Sequence, residues 1–321
     1  MRNRCRISTI LPCVWQFSAG RLPGSLGGPP AGLSLAHLEP SLRPDSLAVI
    51  GLGAIGGSLA WQAARAGVPR VVGYSPIRGE GVAALRAGAI TELADSPLGA
   101  AREAELVVLA TPPAAALELL PRLADALGAG AVLTDVASVK APVVAGAVAA
   151  GLGARFAGAH PLAGTHGSGF EHAAPDRLRG CIAYVCAAPE GEAAARTVMS
   201  FWERTLEASP VRIDALAHDR QLAWTSHLPQ GVASALAHAL AARGLGGVSF
   251  GTGARDTTRL AASSAELWVD IFLQNGEPVS DALAAVEVEV GRLRALIAAA
   301  DRAGLRRWLE EAVAFRRAID R

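Results

Sequence analysis

The chain has 321 residues, 51% of them hydrophobic, and a formal net charge of +1. The length exceeds one ordinary domain and the apolar content excludes a disordered chain, so two packed units are expected. Balanced, interspersed charge leaves no footprint for nucleic acid or an anionic membrane, and no apolar run approaches the roughly 20 residues of a membrane span, which points to a soluble protein acting on a small molecule.

Residues 1–45 stand apart: Arg-rich at the start, without an acid before Glu39, and Gly/Pro-rich through GRLPGSLGGPPAG. They are expected to be a disordered extension outside the fold. Cys5, Cys13, Cys181 and Cys186 show neither zinc nor redox spacing, which fits reduced thiols in a cytoplasm and no metal centre. From Ser46 a strand, glycine turn and helix follow in SLAVIGLGAIGGSLAWQAARAG, and then a second strand, RVVGYS. Further apolar runs, ELVVLAT, AVLTDVA, RFAGAHP, CIAYVCA and SPVRID, alternate with helical patterns. This alternation implies an α/β unit over 46–213 with a doubly wound, mainly parallel sheet of the Rossmann type. Strands cease after Asp214. Leu283, Val286, Val290, Leu293 and Ile297 recur at three- and four-residue steps, the seam of a helix packed on another helix. An all-α unit over 214–321 is expected, with a homodimer interface on its long helices.

Gly51, Gly53 and Gly56 directly follow the first strand and open a helix. In that context Gly51 permits the tight turn, Gly53 admits a pyrophosphate, and Gly56 allows helix–strand contact, while Ala54 and Ile55 contribute the first helical N–H groups. A dinucleotide cofactor is implied. At the end of the second strand stand Ser75 and Arg78 rather than a carboxylate, which favours NADP over NAD; the plainer reading of Arg78 is the start of a solvated helix face. Thr111 and Pro112 close the ELVVLAT strand, where a cofactor ribose commonly passes.

Lys140, in TDVASVK, is the only lysine of the chain. In a composition dominated by arginine, its retention argues for a compact ammonium that a guanidinium cannot imitate. Ser138, just before it, is expected to cap the following helix, to bond a substrate hydroxyl, or both. His160 ends RFAGAH before Pro161, and an imidazole at the mouth of a cofactor crevice suits a general base. Within HDRQLAWTSHLPQ, Pro229 is expected to kink a helix and free carbonyls beside Ser226 and His227. Arg255 and Arg259 are four apart, suited to bind a carboxylate or, more plainly, to form a solvated ion-pair face. Trp268 follows.

The ordered motifs GLGAIGGSL, TDVASVK, HPLAGTHGSG, HDRQLAWTSHLPQ and GARDTTRLA resemble those of the prephenate/arogenate dehydrogenase family of tyrosine biosynthesis, from about Leu47 onward. The resemblance implies oxidative decarboxylation of a cyclohexadienyl acid with NAD(P). It makes His160 the base on the C4 hydroxyl, Ser138 its hydrogen-bonding partner and Arg259 a carboxylate ligand. Ser226, His227 and Trp268 would line the substrate pocket, and Lys140 would lie near the reacting ring or the nicotinamide. The chain departs from the family at Gln230 and His166, the two positions expected to set preference between prephenate and arogenate. Another hydroxyacid dehydrogenase or imine reductase of this architecture, or a non-catalytic NADP-binding regulator, are the alternatives.

Overall fold

The computed structural model describes residues 43–164, 167–244 and 248–319. The expected extension over 1–45 lies almost wholly outside them, as does His166. In chain order the first elements are β1 (Ser46–Ile50), α1 (Ala54–Arg65), β2 (Arg70–Tyr74), α2 (Arg78–Arg86), β3 (Glu92–Leu93) and α3 (Pro97–Ala101). Then come β4 (Leu106–Leu109), α4 (Pro113–Ala126), β5 (Val132–Asp135) and α5 (Ala141–Ala149). The five strands pair in parallel in the order β3-β2-β1-β4-β5. β1 and β4 read as continuous apolar runs because helices cover both their faces. Leu47 and Val49 pack in one layer with Leu59 and Ala63 of α1. Ala48 and Ile50 pack in the other with Leu120 of α4 and Val143 of α5. The strand order reverses between β1 and β4, so the crevice beyond their carboxyl ends is the ligand position of this topology. β3 escapes the sequence pattern because two residues carry no periodicity.

The remaining strands do not extend this sheet, contrary to expectation. β6 (Gly158–Pro161), β7 (Ile182–Cys186) and β8 (Ser209–Arg212), with α6 (Glu192–Ser200) between the last two, form a separate three-stranded sheet. β6 runs antiparallel to β7, and β7 parallel to β8. A single parallel bridge, Leu133 to Phe156, joins the start of this segment to β5. Beyond it the Asp135 and Lys140 side chains fill the space beside Gly158, and β6 diverges.

After β8, α7 (Ala215–Leu222) runs through a π-helical turn, Ala223–His227, into α8 (Leu228–Ala241). Pro229 falls in the first turn of α8. The widened π turn lies just before the residue that lacks an N–H, where the sequence predicts a kink with freed carbonyls. α9 (Thr252–Thr258), a 3₁₀ turn at Arg259–Ala262, α10 (Ala265–Gln274), α11 (Gly276–Ala298) and α12 (Arg302–Ile319) complete the helical region. Within the chain, α11 buries Val279 and Ala282 and half-buries Leu283, Val286 and Leu293. Val290 and Ile297, members of the same predicted seam, are each 60% exposed.

Candidate active site

The glycine turn between β1 and α1 has the form a dinucleotide requires. Gly51 adopts φ +103°, and a Cβ there would strike the Ala110 carbonyl at the end of β4. A Cβ on Gly56 would meet the Gly51 carbonyl. Gly53, by contrast, faces open space, with Gly169 N the nearest group at 3.9 Å from a built Cβ. Gly53 is also the N-cap of α1 and makes no side-chain cap, so the N–H groups of Ala54 and Ile55 are left for an anion at the positive end of the helix. Thr111 Oγ1, beside Pro112 at the end of β4, is buried with no hydrogen-bond partner and suits a ribose hydroxyl. These residues fit NAD(P).

The end of β2 differs from its reading in the sequence. Ser75 is buried and donates to the Glu80 carboxylate at 2.6 Å while accepting from the Ile77 N–H. An acid thus reaches this position from α2. Arg78 points to solvent, 80% exposed, and lies 3.6 Å from Asp95.

Behind the glycines, Gly57 gives way to the segment following His160. A Cβ at Gly57 would lie 2.7 Å from the Phe170 ring, and Ser58 Oγ accepts from Ala174 N at 2.9 Å. Residues 170–174, which follow β6 in the chain, therefore dock on α1 at the cofactor turn.

His160 is buried on β6, opposite Tyr184. Its Nδ1 lies 2.9 Å from His218 Nε2, and His218 Nδ1 lies 2.7 Å from Asp219 Oδ1. Burial above all, with the Lys140 ammonium acting in the same sense, holds the His160 imidazole well below its ordinary pKa, so it is neutral and has a lone pair to accept a proton. Lys140 is wholly buried and pairs with Asp135, whose carboxyl is pushed up by burial while the ammonium opposes that shift. A Cβ at Gly158 would lie 2.6 Å from Asp135 Oδ1 and 3.3 Å from Lys140 Nζ. The Lys140 ammonium therefore lies beside Gly158, two residues before His160 on β6. Ser138 is half-buried and does not cap α5; that helix starts at Ala141, and the Asp219 carboxylate from α7 accepts the Lys140 and Ala141 N–H groups at 2.7 and 2.8 Å.

A second polar group continues from the first. Asn275 Nδ2 donates to the Asp219 carbonyl at 2.8 Å and lies 3.1 Å from His227 Nδ1. An amide nitrogen only donates, so His227 Nδ1 accepts and Nε2 carries the hydrogen. That Nε2 is buried and has no partner. Burial lowers the His227 pKa to about 4, the Asp219 charge acting against this. Trp268 stands edge-on to His227 with centroids 5.8 Å apart. Gln230, one turn further, is buried with Oε1 unpartnered, and Ser226 is half-buried beside them. Asp270 of α10 accepts from Ala114 N at 3.4 Å, which ties this pocket to the cofactor side. Arg255 and Arg259 are exposed on α9 and the 3₁₀ turn.

Known proteins match in both regions. The model described as prephenate dehydrogenase, nucleotide-binding domain, matches residues 60–207, and that of the prephenate dehydrogenase dimerization domain matches 214–311. Prephenate dehydrogenase of Bacillus subtilis (strain 168) is 31% identical over 286 residues, spanning 85% of this chain and 75% of its own. The chain belongs to the prephenate dehydrogenase family. Within it, cyclohexadienyl dehydrogenase of Zymomonas mobilis is 30% identical over 274 residues, covering 79% of this chain and 89% of that one. The crystal structure of prephenate dehydrogenase from A. aeolicus in complex with hydroxyphenyl propionate and NAD+ aligns with TM-score 0.77 and 28% identity, over 85% of this chain and 97% of that one. The family's architecture, a parallel nucleotide-binding sheet followed by helices, is the one found here. Among the described residues no cluster of His, Cys, Asp or Glu could hold a metal ion, and no helix is long and apolar enough to cross a membrane. The reading of the sequence passes over His218, Asp219, Asn275 and Glu80. A signal for the first two is present in HDRQ, since a His-Asp pair one turn inside a helix capped by Asp214 sits on the face turned to the sheet domain.

Proposed function

We propose that this chain is an NAD(P)-dependent dehydrogenase that converts a cyclohexadienyl acid, prephenate or arogenate, to the corresponding 4-hydroxyphenyl product with loss of carbon dioxide. The observation that carries this reading is a buried, neutral His160 on a strand followed in the chain by a segment, 170–174, packed against the helix of the glycine turn, with an unpartnered buried donor on His227 in the adjoining polar group. A bound nicotinamide supplies the hydride acceptor. His160 takes the proton of the C4 hydroxyl as hydride leaves that carbon, and the ring carboxylate departs as carbon dioxide, leaving its electron pair in the ring. His160 then returns the proton to the phenolate oxygen. His227 Nε2–H faces an oxygen of the substrate side chain, Gln230 and Trp268 border it, and Arg259 attracts the substrate's carboxylate charge. Ser138 bonds the C4 hydroxyl beside the base.

Of the two cofactors we favour NAD. The Glu80 carboxylate at Ser75 supports this in place of the expectation of NADP, because it would repel a 2'-phosphate and accept from a ribose hydroxyl. The exposed Val290 and Ile297 on α11, with Leu309, Val313 and Phe315 on α12, support a homodimer through these helices. The test is steady-state kinetics with both acids and both cofactors, following reduced nicotinamide and carbon dioxide together. One equivalent of each per turnover is expected, and His160→Asn should lower kcat by at least about 10²-fold with NAD affinity retained. Cofactor reduction without carbon dioxide release would point instead to a hydroxyacid dehydrogenase.

A further inference from the structure

His160 can act as base only through a ring nitrogen that carries a lone pair and faces the substrate, so which nitrogen holds the hydrogen is decisive. The contacts around it settle this from the far end. Asp219 uses Oδ1 to accept the Lys140 N–H and Oδ2 to accept the Ala141 N–H, both at the N-terminus of α5, an arrangement suited to an ionised, acceptor-only carboxylate. The same Oδ1 lies 2.7 Å from His218 Nδ1, which must therefore be protonated. When His218 carries only that one proton its lone pair is on Nε2, 2.9 Å from His160 Nδ1. His160 must place its hydrogen there, and its own lone pair is left on Nε2.

We infer that His218 and Asp219 are positioning residues that lock His160 in the Nδ1–H tautomer, leaving Nε2 as the base, and that the Asp219 charge stabilises the imidazolium formed when that nitrogen takes a proton. The inference deepens the proposed function and rests on it for its kinetic consequence, though not for the tautomer itself. The relay crosses the two parts of the fold: His160 comes from β6, His218 and Asp219 from α7, and the carboxylate's donors from α5. Asn275 at the start of α11 fixes the Asp219 backbone carbonyl. Other ionisable groups face it. Tyr184 of β7 stands edge-on to the His218 ring with centroids 5.5 Å apart, and Lys140, Asp135, Cys186 and His227 act through space. Among these, Asp219 alone combines direct contact with His218 and a negative charge.

Two measurements test the relay. In the full-length wild-type protein with ¹⁵N-labelled histidine, long-range ¹⁵N–¹H correlation at neutral pH should show His160, assigned by its loss in His160→Asn, protonated on Nδ1. A proton on Nε2 would overturn the inference whether or not the protein turns over either acid. In the active enzyme, Asp219→Asn should lower kcat by about 10- to 1,000-fold and move the acid limb of kcat/KM toward lower pH by about one unit, since a negative charge that favours imidazolium is gone. A limb that stays in place, in a variant that binds NAD+ like the wild type, counts against the relay. Should Asp219→Asn not fold, the pair His218→Gln and His218→Leu decides. A glutamine carbonyl can still accept the His160 Nδ1 hydrogen, so His218→Gln should keep at least ten times the kcat of His218→Leu, and equal rates would sink the idea. Failure of the wild type to oxidise prephenate and arogenate would reject the proposed function alone, with the tautomer still read by resonance.

Discussion

Ser75 Oγ and the Glu80 carboxylate lie 2.6 Å apart at the end of β2, so neutralising position 80 isolates the effect of one charge on the ribose end of the cofactor. Glu80→Gln keeps a hydrogen-bond acceptor for Ser75 but removes the repulsion of a 2'-phosphate. The ratio of kcat/KM for NADP over NAD should rise by about tenfold, equivalent to about 1.4 kcal/mol, and an unchanged ratio would show that Glu80 does not face that phosphate. Lys140 invites a different experiment. Its ammonium is wholly buried against Asp135, and removing one partner of such a pair leaves the other uncompensated. Lys140→Met should cost about 3–5 kcal/mol in urea unfolding, whereas the double change Lys140→Met with Asp135→Leu should cost clearly less. The sequence did single out this lysine, the only one of the chain. It could not reveal the partner, because Asp135 lies five residues back at the end of a strand and meets Lys140 only when the connecting loop folds over Gly158.

At the level of elements, legibility followed the range of the interactions. The turn from β1 to α1 is a local motif whose glycines, strand and helix are contiguous, and Gly51 and Gly56 make the tight turn and close approach their positions implied. The helix start at α5 is not local. Ser138 has the residue type of a cap, but the donors are satisfied by Asp219, some 80 positions away. Likewise Pro229 signalled a disturbed helix, while its resolution as a π turn depends on packing around Ala223 and His227, both buried. The split of the sheets was hidden because alternation of strands and helices is the same whether the last strands join the first sheet or form their own. Gly57 gives a test at this scale. Its missing Cβ accommodates Phe170, which in turn stacks on Trp61 with centroids 5.9 Å apart. Gly57→Ala should push the 170–174 segment off α1, lowering stability by about 1–3 kcal/mol and raising KM for the acid substrate. Normal KM in a destabilised variant would separate this packing from the placement of the His160 loop.

For the molecule as a whole, the buried histidines couple catalysis to acid stability. His227 has its pKa lowered to about 4 and His160 is lowered well below 6.5, both chiefly by burial. In the unfolded chain each titrates near the ordinary value, about 6.5. Above that pH neither state binds the proton and stability is at its full value. As pH falls from about 6.5 toward about 4 the unfolded chain takes up protons that the folded protein refuses, so stability declines over this window. His227 alone accounts for roughly 3 kcal/mol of loss at the bottom of it, a large share of the roughly 5–15 kcal/mol that holds a typical domain. Asp135 works in the opposite sense. Its raised pKa lets the folded state bind a proton before the unfolded chain does, which offsets part of the loss as pH falls through that raised value toward 3.8. Thermal melting from pH 7.5 to 4.5 should therefore show a falling Tm with the steepest slope below about pH 6.5. His227→Gln, which cannot protonate, should flatten that slope even if it lowers Tm at pH 7.5. A slope identical to the wild type would mean that His227 is protonated in the folded state, and with it the assignment of Nε2–H as a neutral donor to the substrate would fall.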